Sequence, residues 1–276
     1  MVNLHLQIKG QGFPILCLHG HPGNIQAMAV FTDHLSRHYQ TITPDLRGYG
    51  KSRASGNFAM SDHLEDLTNL LDQQQIKKCL VLGWSLGGIL GMELALSLPD
   101  RITGLILIAT AARPRGSHPA ISWQDNFYTG ITALINAVYP GWQWNIDTFG
   151  KRSLFRYLIQ QHTPGAYGWI GQAAVPAYLQ TSPQASQALT TAIRQGYNRL
   201  PQLAAITCPC LVLAAENDRH ITAASSQETA THLPHAQSYY YANTAHLFPW
   251  EIAPQVLGDI DQWLAAHSET LISFPV

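Results

Sequence analysis

A short apolar run that leads into a glycine-rich turn and then into a helical pattern is the feature that most restricts the fold of this chain. The run Cys79–Leu82 has the length of a buried strand, Gly83-Trp84-Ser85-Leu86-Gly87-Gly88 follows it directly, and the stretch from Leu86 to Leu98 is helix-like. A turn this sharp strains the backbone of its central residue, and only glycine neighbours avoid collisions with the strand and the helix. The pattern predicts a strand–turn–helix unit with Ser85 at its apex.

Strand-length apolar runs alternate with helix-like stretches along much of the chain. The runs are Ile15–Leu18, Thr41–Thr43, Cys79–Leu82, Leu105–Ile108 and Leu211–Ala214, and the helix-like stretches are Asp62–Gln75, Leu86–Leu98, Ala223–His232 and Pro254–His267. This alternation predicts an α/β fold with a mostly parallel central sheet and helices on both of its faces. The glycine-rich residues 9–12, between Leu4–Ile8 and the segment from Phe13 onward, predict an antiparallel hairpin at the start.

The alternation stops between Arg113 and about Pro201, where helix-like pieces are interrupted by prolines. We predict that residues 113–201 form a helical cap inserted into a core made of residues 1–112 and 202–276. The cap has seven basic and two acidic residues, a net charge of +5, whereas the remainder has nine basic and fifteen acidic residues, a net charge of −6. Four of the seven tryptophans lie in the cap, and we expect them either to line an apolar pocket or to form the core of the cap. They are Trp123, Trp142, Trp144 and Trp169.

Three residues that follow strand-length runs make a set suited to nucleophilic catalysis. Ser85 is the predicted nucleophile, and because a serine hydroxyl is a poor nucleophile at neutral pH it needs a histidine base. His246 follows the strand-like Ser238–Tyr241, at a strand end where α/β sheets gather functional groups. Asp218, just after the run Leu211–Ala214, is the predicted acid that orients the histidine, and Glu216 is the alternative.

Two backbone N–H groups are predicted to form an oxyanion hole beside Ser85. Leu86 begins the predicted helix, so its N–H has no helical acceptor and lies at the positive end of the helix dipole. His21 lies in the loop Leu18-His19-Gly20-His21-Pro22-Gly23 after another buried run, and its N–H is the second predicted donor. A metal site at His19 and His21 is the alternative, but two histidines supply too few ligands and no acidic cluster is near them in sequence. We therefore expect neither a metal nor a cofactor.

Five motifs in order resemble the α/β-hydrolase superfamily of serine hydrolases. They are His19-Gly20-His21-Pro22-Gly23, Asp45-Leu46-Arg47-Gly48-Tyr49-Gly50-Lys51-Ser52, the turn around Ser85, the Asp218 loop and the His246 loop. The order serine, acid, histidine is that of this fold, and a serine nucleophile implies acyl transfer to Ser85 and then to water. The resemblance implies a carboxylesterase, with lactone, thioester or carbon–carbon bond hydrolysis, or a ligand receptor without turnover, as alternatives.

The Ser85 turn is also similar to that of carboxylesterases that act on a methyl ester held by an acidic carrier protein, which a basic cap would suit. The loop around His21 differs from theirs, since theirs contains tryptophan. The partner expected is a small-molecule ester, with an anionic ester or one carried on an acidic protein as a narrower option, and neither nucleic acid nor a membrane span is expected. The low charged fraction of 12% argues against an extended nucleic-acid surface.

The chain begins with alternating polar and apolar residues instead of a basic segment followed by a hydrophobic run. Of its four cysteines, Cys17 and Cys79 lie inside apolar runs, and Cys208 and Cys210 flank Pro209 at the entrance to another. These features predict a cytoplasmic protein with reduced cysteines.

Overall fold

A single seven-stranded sheet organises the computed structural model, which describes residues 2–117 and 119–269. The strands are β1 (Leu6–Lys9), β2 (Pro14–Leu18), β3 (Gln40–Pro44), β4 (Cys79–Trp84), β5 (Ile102–Ile108), β6 (Cys210–Ala215) and β7 (Ala236–Tyr241). Their order across the sheet is β1-β3-β2-β4-β5-β6-β7. Only the pairing of β1 with β3 is antiparallel, and the other neighbours run parallel. The α/β fold class predicted from the alternation is confirmed.

Helices connect the strands and cover both faces of the sheet. They are α1 (Ala29–Leu35), α2 (Asp62–Gln73), α3 (Leu86–Ser97), α4 (Trp123–Val138), α5 (Gln143–Thr148), α6 (Phe155–Leu158), α7 (Pro164–Leu179), α8 (Pro183–Arg194), α9 (Ala223–His232), α10 (Phe248–Glu251) and α11 (Ala253–Ala266), with 3₁₀ segments at Ile25–Met28, Gly150–Arg152 and Leu200–Ala205. The sequence pattern predicts α2, α3, α9 and α11 to within two residues at each end but does not reveal α1 or α10. Within the described ranges, no helix is both long enough and apolar enough to cross a bilayer.

Alternate side chains of the central strands pack against two different layers of helices. On β2, Ile15 and Cys17 join a cluster that contains the buried residues of α1 and α11, whereas Leu16 and Leu18 join a cluster that contains those of α2 and α3. Successive side chains on a strand point to opposite faces, so a strand covered on both sides is a continuous apolar run. This explains why the inner strands are visible in the sequence as unbroken apolar segments.

The hairpin predicted at the start of the chain is wrong, because the first strand does not pair with the second. β1 is antiparallel as expected, but it pairs with β3, with Leu6 opposite Pro44 and Lys9 opposite Thr41. β2 cannot take it because β3 and β4 already occupy both of its edges in parallel register. β1 is short and only partly buried, which suits the edge of the sheet, where its free backbone groups face water.

Helices α4 to α8 lie between β5 and β6, the part of the chain predicted as a cap. Buried residues of this part, among them Ile146, Phe155 and Tyr167, belong to the same apolar cluster as β2, β4 and α11. These helices therefore share a core with the sheet. The division into a core and a cap stays a prediction, and residue 118 of the predicted cap and residues 270–276 of the predicted core lie outside the described residues.

Candidate active site

Ser85 occupies a strained backbone position between β4 and α3. Its dihedral angles are φ 53° and ψ −114°, which non-glycine residues rarely adopt and which cost roughly 1–3 kcal/mol. Two contacts hold it there: its N–H donates to the carbonyl of Ile108 at 2.8 Å, and its carbonyl accepts from the Thr110 hydroxyl at 2.8 Å. The sharp turn expected from the sequence is thus present, fixed by the end of the neighbouring strand.

The glycines around Ser85 are required by close approach of the backbone. A Cβ on Gly87 would overlap the carbonyl oxygen of Leu18, and a Cβ on Gly83 would overlap the backbone of Gly87. Helix α3 can therefore begin directly against β2 and β4 only because these positions lack side chains. The start of α3 is thus held next to Ser85, whose carbonyl accepts from the N–H groups of Gly88 (3.0 Å) and Ile89 (3.3 Å).

Asp218 and His246 form a buried hydrogen-bonded pair. The distance from His246 Nδ1 to Asp218 Oδ2 is 2.7 Å, and their side chains are only 4% and 1% exposed, respectively. The other carboxylate oxygen, Asp218 Oδ1, accepts from the backbone N–H groups of His220 (2.7 Å) and Ile221 (2.9 Å). Because the carboxylate can only accept when ionised, it holds His246 with its proton on Nδ1 and leaves Nε2 free to act as a base.

The alternative acid, Glu216, does not contact His246 among the hydrogen bonds of the described residues. Its Oε2 instead accepts from the backbone N–H of Asn243 at 3.1 Å, and its own N–H donates to Tyr241. Glu216 thus joins the loop after β6 to the loop after β7. The same two loops are also joined by the N–H of Asn217, which donates to the carbonyl of Thr244 at 2.9 Å. These backbone bonds bring Asp218 and His246 together although 28 residues separate them.

Glu251 on α10 joins the His246 loop to the segment that follows α6. Its Oε1 accepts from the N–H of Ala245 at 2.9 Å, and its Oε2 accepts from the N–H groups of Gln160 (3.0 Å) and Gln161 (2.6 Å). Burial raises the pKa of this carboxyl, although the three backbone donors act in the opposite direction. The sequence gives little sign of this role, because the short helix α10 lacks a periodic pattern.

The loop with the second predicted oxyanion donor lies against the Ser85 turn. A Cβ placed on Gly20 would be 3.1 Å from Cβ of Ser85 and would collide with the ring of Trp84. The next residue, His21, has its side chain fixed by a 2.9 Å hydrogen bond between Nδ1 and the hydroxyl of the buried Tyr49. The loop and the Ser85 turn are therefore in close contact, and the oxyanion role of the His21 and Leu86 N–H groups stays a prediction.

His19 has a structural position and not a metal-binding one. Its Nδ1 donates to the carbonyl of Gly20 at 2.8 Å, and its Nε2 accepts from the N–H of Leu46 at 3.0 Å. Burial lowers the pKa of His19 to about 4, so the ring is neutral. Both nitrogens are therefore used within the protein, and no lone pair is left for a metal ion.

An apolar cavity of about 310 Å³ lies beside His246. Its walls include Trp84 and Trp250 from the core and Phe155, Leu158, Trp169 and Ile170 from α6 and α7. Three histidines, His21, His220 and His246, also line it. The ring of His220 packs edge-on against that of His246, with centroids 4.7 Å apart, a contact that the sequence did not suggest. The cavity is at the lower end of the size range of small-molecule sites.

The tryptophan expectation is correct for one residue and wrong for three. Trp169 lines the cavity, but Trp123, Trp142 and Trp144 are 74%, 46% and 50% exposed, so they form neither the cavity wall nor a cap core. They lie on or between α4 and α5, and none of the three belongs to the shared apolar cluster. Composition and spacing could not show which face of a short helix packs inward.

Acidic side chains are paired with much of the positive charge of the predicted cap. Arg156 binds Asp125 and Lys151 binds Asp147, each at 2.6 Å. Arg113 and Arg199 bind acids outside the cap, Glu228 and Glu93. Four of the seven basic residues therefore have a partner inside the protein.

Comparisons with known proteins agree with this architecture. A family model described as the alpha/beta hydrolase fold matches residues 14–134. The chain is 33% identical over 162 residues to a pimeloyl-[acyl-carrier protein] methyl ester esterase of Pectobacterium carotovorum subsp. carotovorum (strain PC1), a match that spans 58% of this chain and 58% of the length of that relative.

Solved structures share the fold along nearly the whole chain. A thermophilic esterase from Thermogutta terrifontis superposes with a TM-score of 0.71 at 24% identity, covering 96% of this chain and 94% of that one. The enol-lactonase from Burkholderia xenovorans LB400 superposes with a TM-score of 0.73 at 21% identity, covering 96% and 98%. The resemblance recognised in the five motifs is thus confirmed at the level of the fold.

Proposed function

The chain has the α/β-hydrolase fold, and on that basis we propose that it hydrolyses a carboxylic ester through an acyl-enzyme on Ser85. The observation that carries the proposal is the buried pair of Asp218 and His246 at the wall of the apolar cavity, next to the strained serine turn. A strained serine, an oriented histidine and an apolar cavity together suit nucleophilic acyl transfer.

In the proposed reaction, His246 Nε2 removes the proton of the Ser85 hydroxyl while Oγ attacks the ester carbonyl. Asp218 stabilises the positive charge that His246 gains and keeps its Nδ1 proton in place. The backbone N–H groups of His21 and Leu86 donate to the oxyanion of the tetrahedral intermediate. His246 then protonates the leaving alcohol, and a water molecule activated by the same histidine releases the acid from Ser85.

The cavity favours an uncharged ester with an apolar group of small or medium size. Most of the side chains that line it are apolar, and no lysine, arginine or carboxylate is among the described residues of its wall. A charged group placed there would lose its hydration without gaining a partner, at a cost of several kcal/mol. The proposal therefore places the apolar part of the substrate in the cavity and the ester carbonyl at Ser85.

A hydrolase assay separates this proposal from a ligand receptor built on the same scaffold. We expect the wild type to hydrolyse p-nitrophenyl esters and Ser85→Ala to lose roughly 10³-fold or more in kcat. A wild type no faster than Ser85→Ala would refute ester hydrolysis. Comparing the open-chain ester with a lactone of equal carbon number then distinguishes the two substrate forms.

A second candidate is an ester held by an acidic carrier protein. It is supported by the excess of basic residues in the predicted cap and by the name of the 33% identical relative. The ion pairs described above weaken it, since they neutralise much of that charge. Reversing Arg152 and Arg156 to glutamate is expected to weaken hydrolysis of a carrier-bound ester and to spare a neutral short ester. Equal effects on both substrates would show that the charge of the predicted cap does not recruit the carrier. A cytoplasmic location is also part of the proposal.

A further inference from the structure

Seven aromatic rings form a continuous strip on α4, α5 and the segments beside them, with five rings exposed and two, those of Tyr128 and Phe149, half-buried. Neighbouring ring centroids are 4.9 to 6.4 Å apart along its length. In order of contact the rings are those of Trp123, Phe127, Tyr128, Phe149, Trp144, Trp142 and Tyr139. We call this set the aromatic strip.

Aliphatic side chains extend the aromatic strip, and its exposure is unusual. Trp123 is 74% exposed, and Leu134 and Val138 on the same helix are exposed as well. Tyr178 and Leu179, at the end of α7, are also exposed, at 73% and 75%. Single exposed apolar residues are ordinary, but a contiguous group of this kind marks a surface that docks on something apolar.

The aromatic strip is joined to the proposed active site. Ile121, two residues before Trp123, is exposed and also lines the cavity. Ala177, next to Tyr178, lines the cavity as well. Ile121 therefore connects the exposed apolar surface with the cavity wall, and Ala177, itself buried, adjoins the exposed Tyr178 in sequence.

Basic side chains outnumber acidic ones beside the aromatic strip. Lys151, Arg152 and Arg156 are exposed next to it. Asp147 is exposed and bound to Lys151, and Asp125 is buried, holds the N-terminus of α4 through Ser122 and pairs with Arg156. Among the described residues, Arg152 is therefore the one of these three cations without an ion pair. Because the rest of the chain is net negative, the field of the whole molecule turns this side toward an anionic surface.

We propose that the aromatic strip docks on an anionic lipid surface, from which the site takes an apolar ester. Tryptophan and tyrosine are the residues that favour the boundary between acyl chains and headgroups, since their rings are apolar and carry one polar atom. A second copy of the chain fits less well, because a symmetric interface would bring the exposed cations of both copies together. The ester part of the inference rests on the proposed function; the docking part does not.

Flotation with phosphatidylcholine vesicles, with and without phosphatidylglycerol, tests the docking. We expect the wild type to bind, and to bind more tightly when phosphatidylglycerol is present. The double variant Trp123→Ser with Phe127→Ser is expected to lose about 100-fold in partition coefficient, since each ring that leaves the apolar phase is equivalent to a factor of about ten. Tyr240→Ser is the matched control, because Tyr240 is an exposed ring on β7, outside the aromatic strip. It is expected to bind as the wild type does.

Activity measurements separate this inference from the proposed function. Neither Trp123 nor Phe127 lines the cavity, so the double variant is expected to hydrolyse a short water-soluble ester at the wild-type rate and to lose turnover only of an ester embedded in vesicles. Ser85→Ala is expected to lose hydrolysis but to bind vesicles as the wild type does, so the two properties can fail independently.

Three results would overturn the docking proposal. They are a wild type that binds neither kind of vesicle, a double variant that binds as well as the wild type, and a wild-type dimer that the double variant converts to monomers without any vesicle binding. The last result would assign the aromatic strip to a second copy of the chain.

Discussion

Replacing the buried His63 by leucine should reduce the fall in the free energy of unfolding between pH 7 and pH 5. His63 is 1% exposed at the start of α2, and its ring lies edge-on to Phe58 (centroids 5.5 Å apart) and tilted to Tyr49 (6.3 Å). Neither ring nitrogen has a hydrogen-bond partner within the described part of the chain. Burial lowers its pKa from 6.5 to about 4, with Arg47 and His19 acting in the same direction and Asp66 and Asp62 opposing it.

The size of the effect follows from the difference in proton binding between the two states. Below pH 6.5 the unfolded chain protonates His63, whereas the folded protein does not until the pH approaches 4. The unfolded state therefore binds more protons in this window, and the free energy of unfolding falls as the pH is lowered through it. One pKa unit corresponds to about 1.4 kcal/mol, so His63 accounts for a loss of about 2 kcal/mol between pH 7 and pH 5.

Urea denaturation at pH 7 and pH 5 measures this contribution directly. We expect His63→Leu to lose about 2 kcal/mol less than the wild type over this interval. His38→Leu is the control, because His38 is exposed, and it should follow the wild type. If His63→Leu and the wild type lose the same free energy, His63 is not neutral through burial and the reasoning is refuted. His19, whose pKa is lowered to about 4 in the same way, should keep part of the acid sensitivity in the variant.

Three further predictions concern the site and its support. Asp218→Asn should lower kcat by roughly 10⁴-fold, because the amide holds His246 in the wrong tautomer. Glu216→Gln should lower kcat much less. If steady-state kinetics give the reverse order, Asp218 is not the acid. Trp169→Ala should enlarge the cavity and shift the preferred p-nitrophenyl ester toward longer acyl chains, and an unchanged chain-length profile would contradict the assignment of the cavity. Gly87→Ala should destabilise the fold by roughly 3 kcal/mol, since the new Cβ would overlap the backbone of Leu18. Gly258→Ala on α11 is the control, because a Cβ there has no atom within 4 Å, and thermal unfolding should show a gain in stability of about 0.5–1 kcal/mol.

The parts of the fold that could be predicted from the sequence are those with a local cause. An inner strand covered on both faces is a run such as Leu105–Ile108, and a helix of three turns with one apolar side, such as α2, carries its own period. The turn at Ser85 is local in part, because Gly83 faces the backbone of Gly87 four residues later, whereas Gly87 faces Leu18 on the neighbouring strand β2. For the same reason, the sequence pattern alone is enough to single out Ser85 as the candidate nucleophile.

Pairing across the chain was decided only in three dimensions. The edge position of β1 depends on which strands occupy both sides of β2, and nothing within residues 1–18 encodes this. The choice of Asp218 over Glu216 as the partner of His246 depends on the register of β6 with β7, which sets where each loop leaves the sheet. A shift of one residue would turn every side chain to the opposite face.

The predicted cap shows most clearly which features the sequence reveals and which depend on tertiary packing. Its basic residues, its tryptophans and the interruption of its helices by proline can all be read directly from the sequence. Whether Trp169 would line a cavity while Trp123, Trp142 and Trp144 face solvent was decided by how α4, α5 and α7 pack on the sheet. A short helix can bury either side with little change in its own energy, so tertiary packing selects the buried face, and with it the surface left for docking.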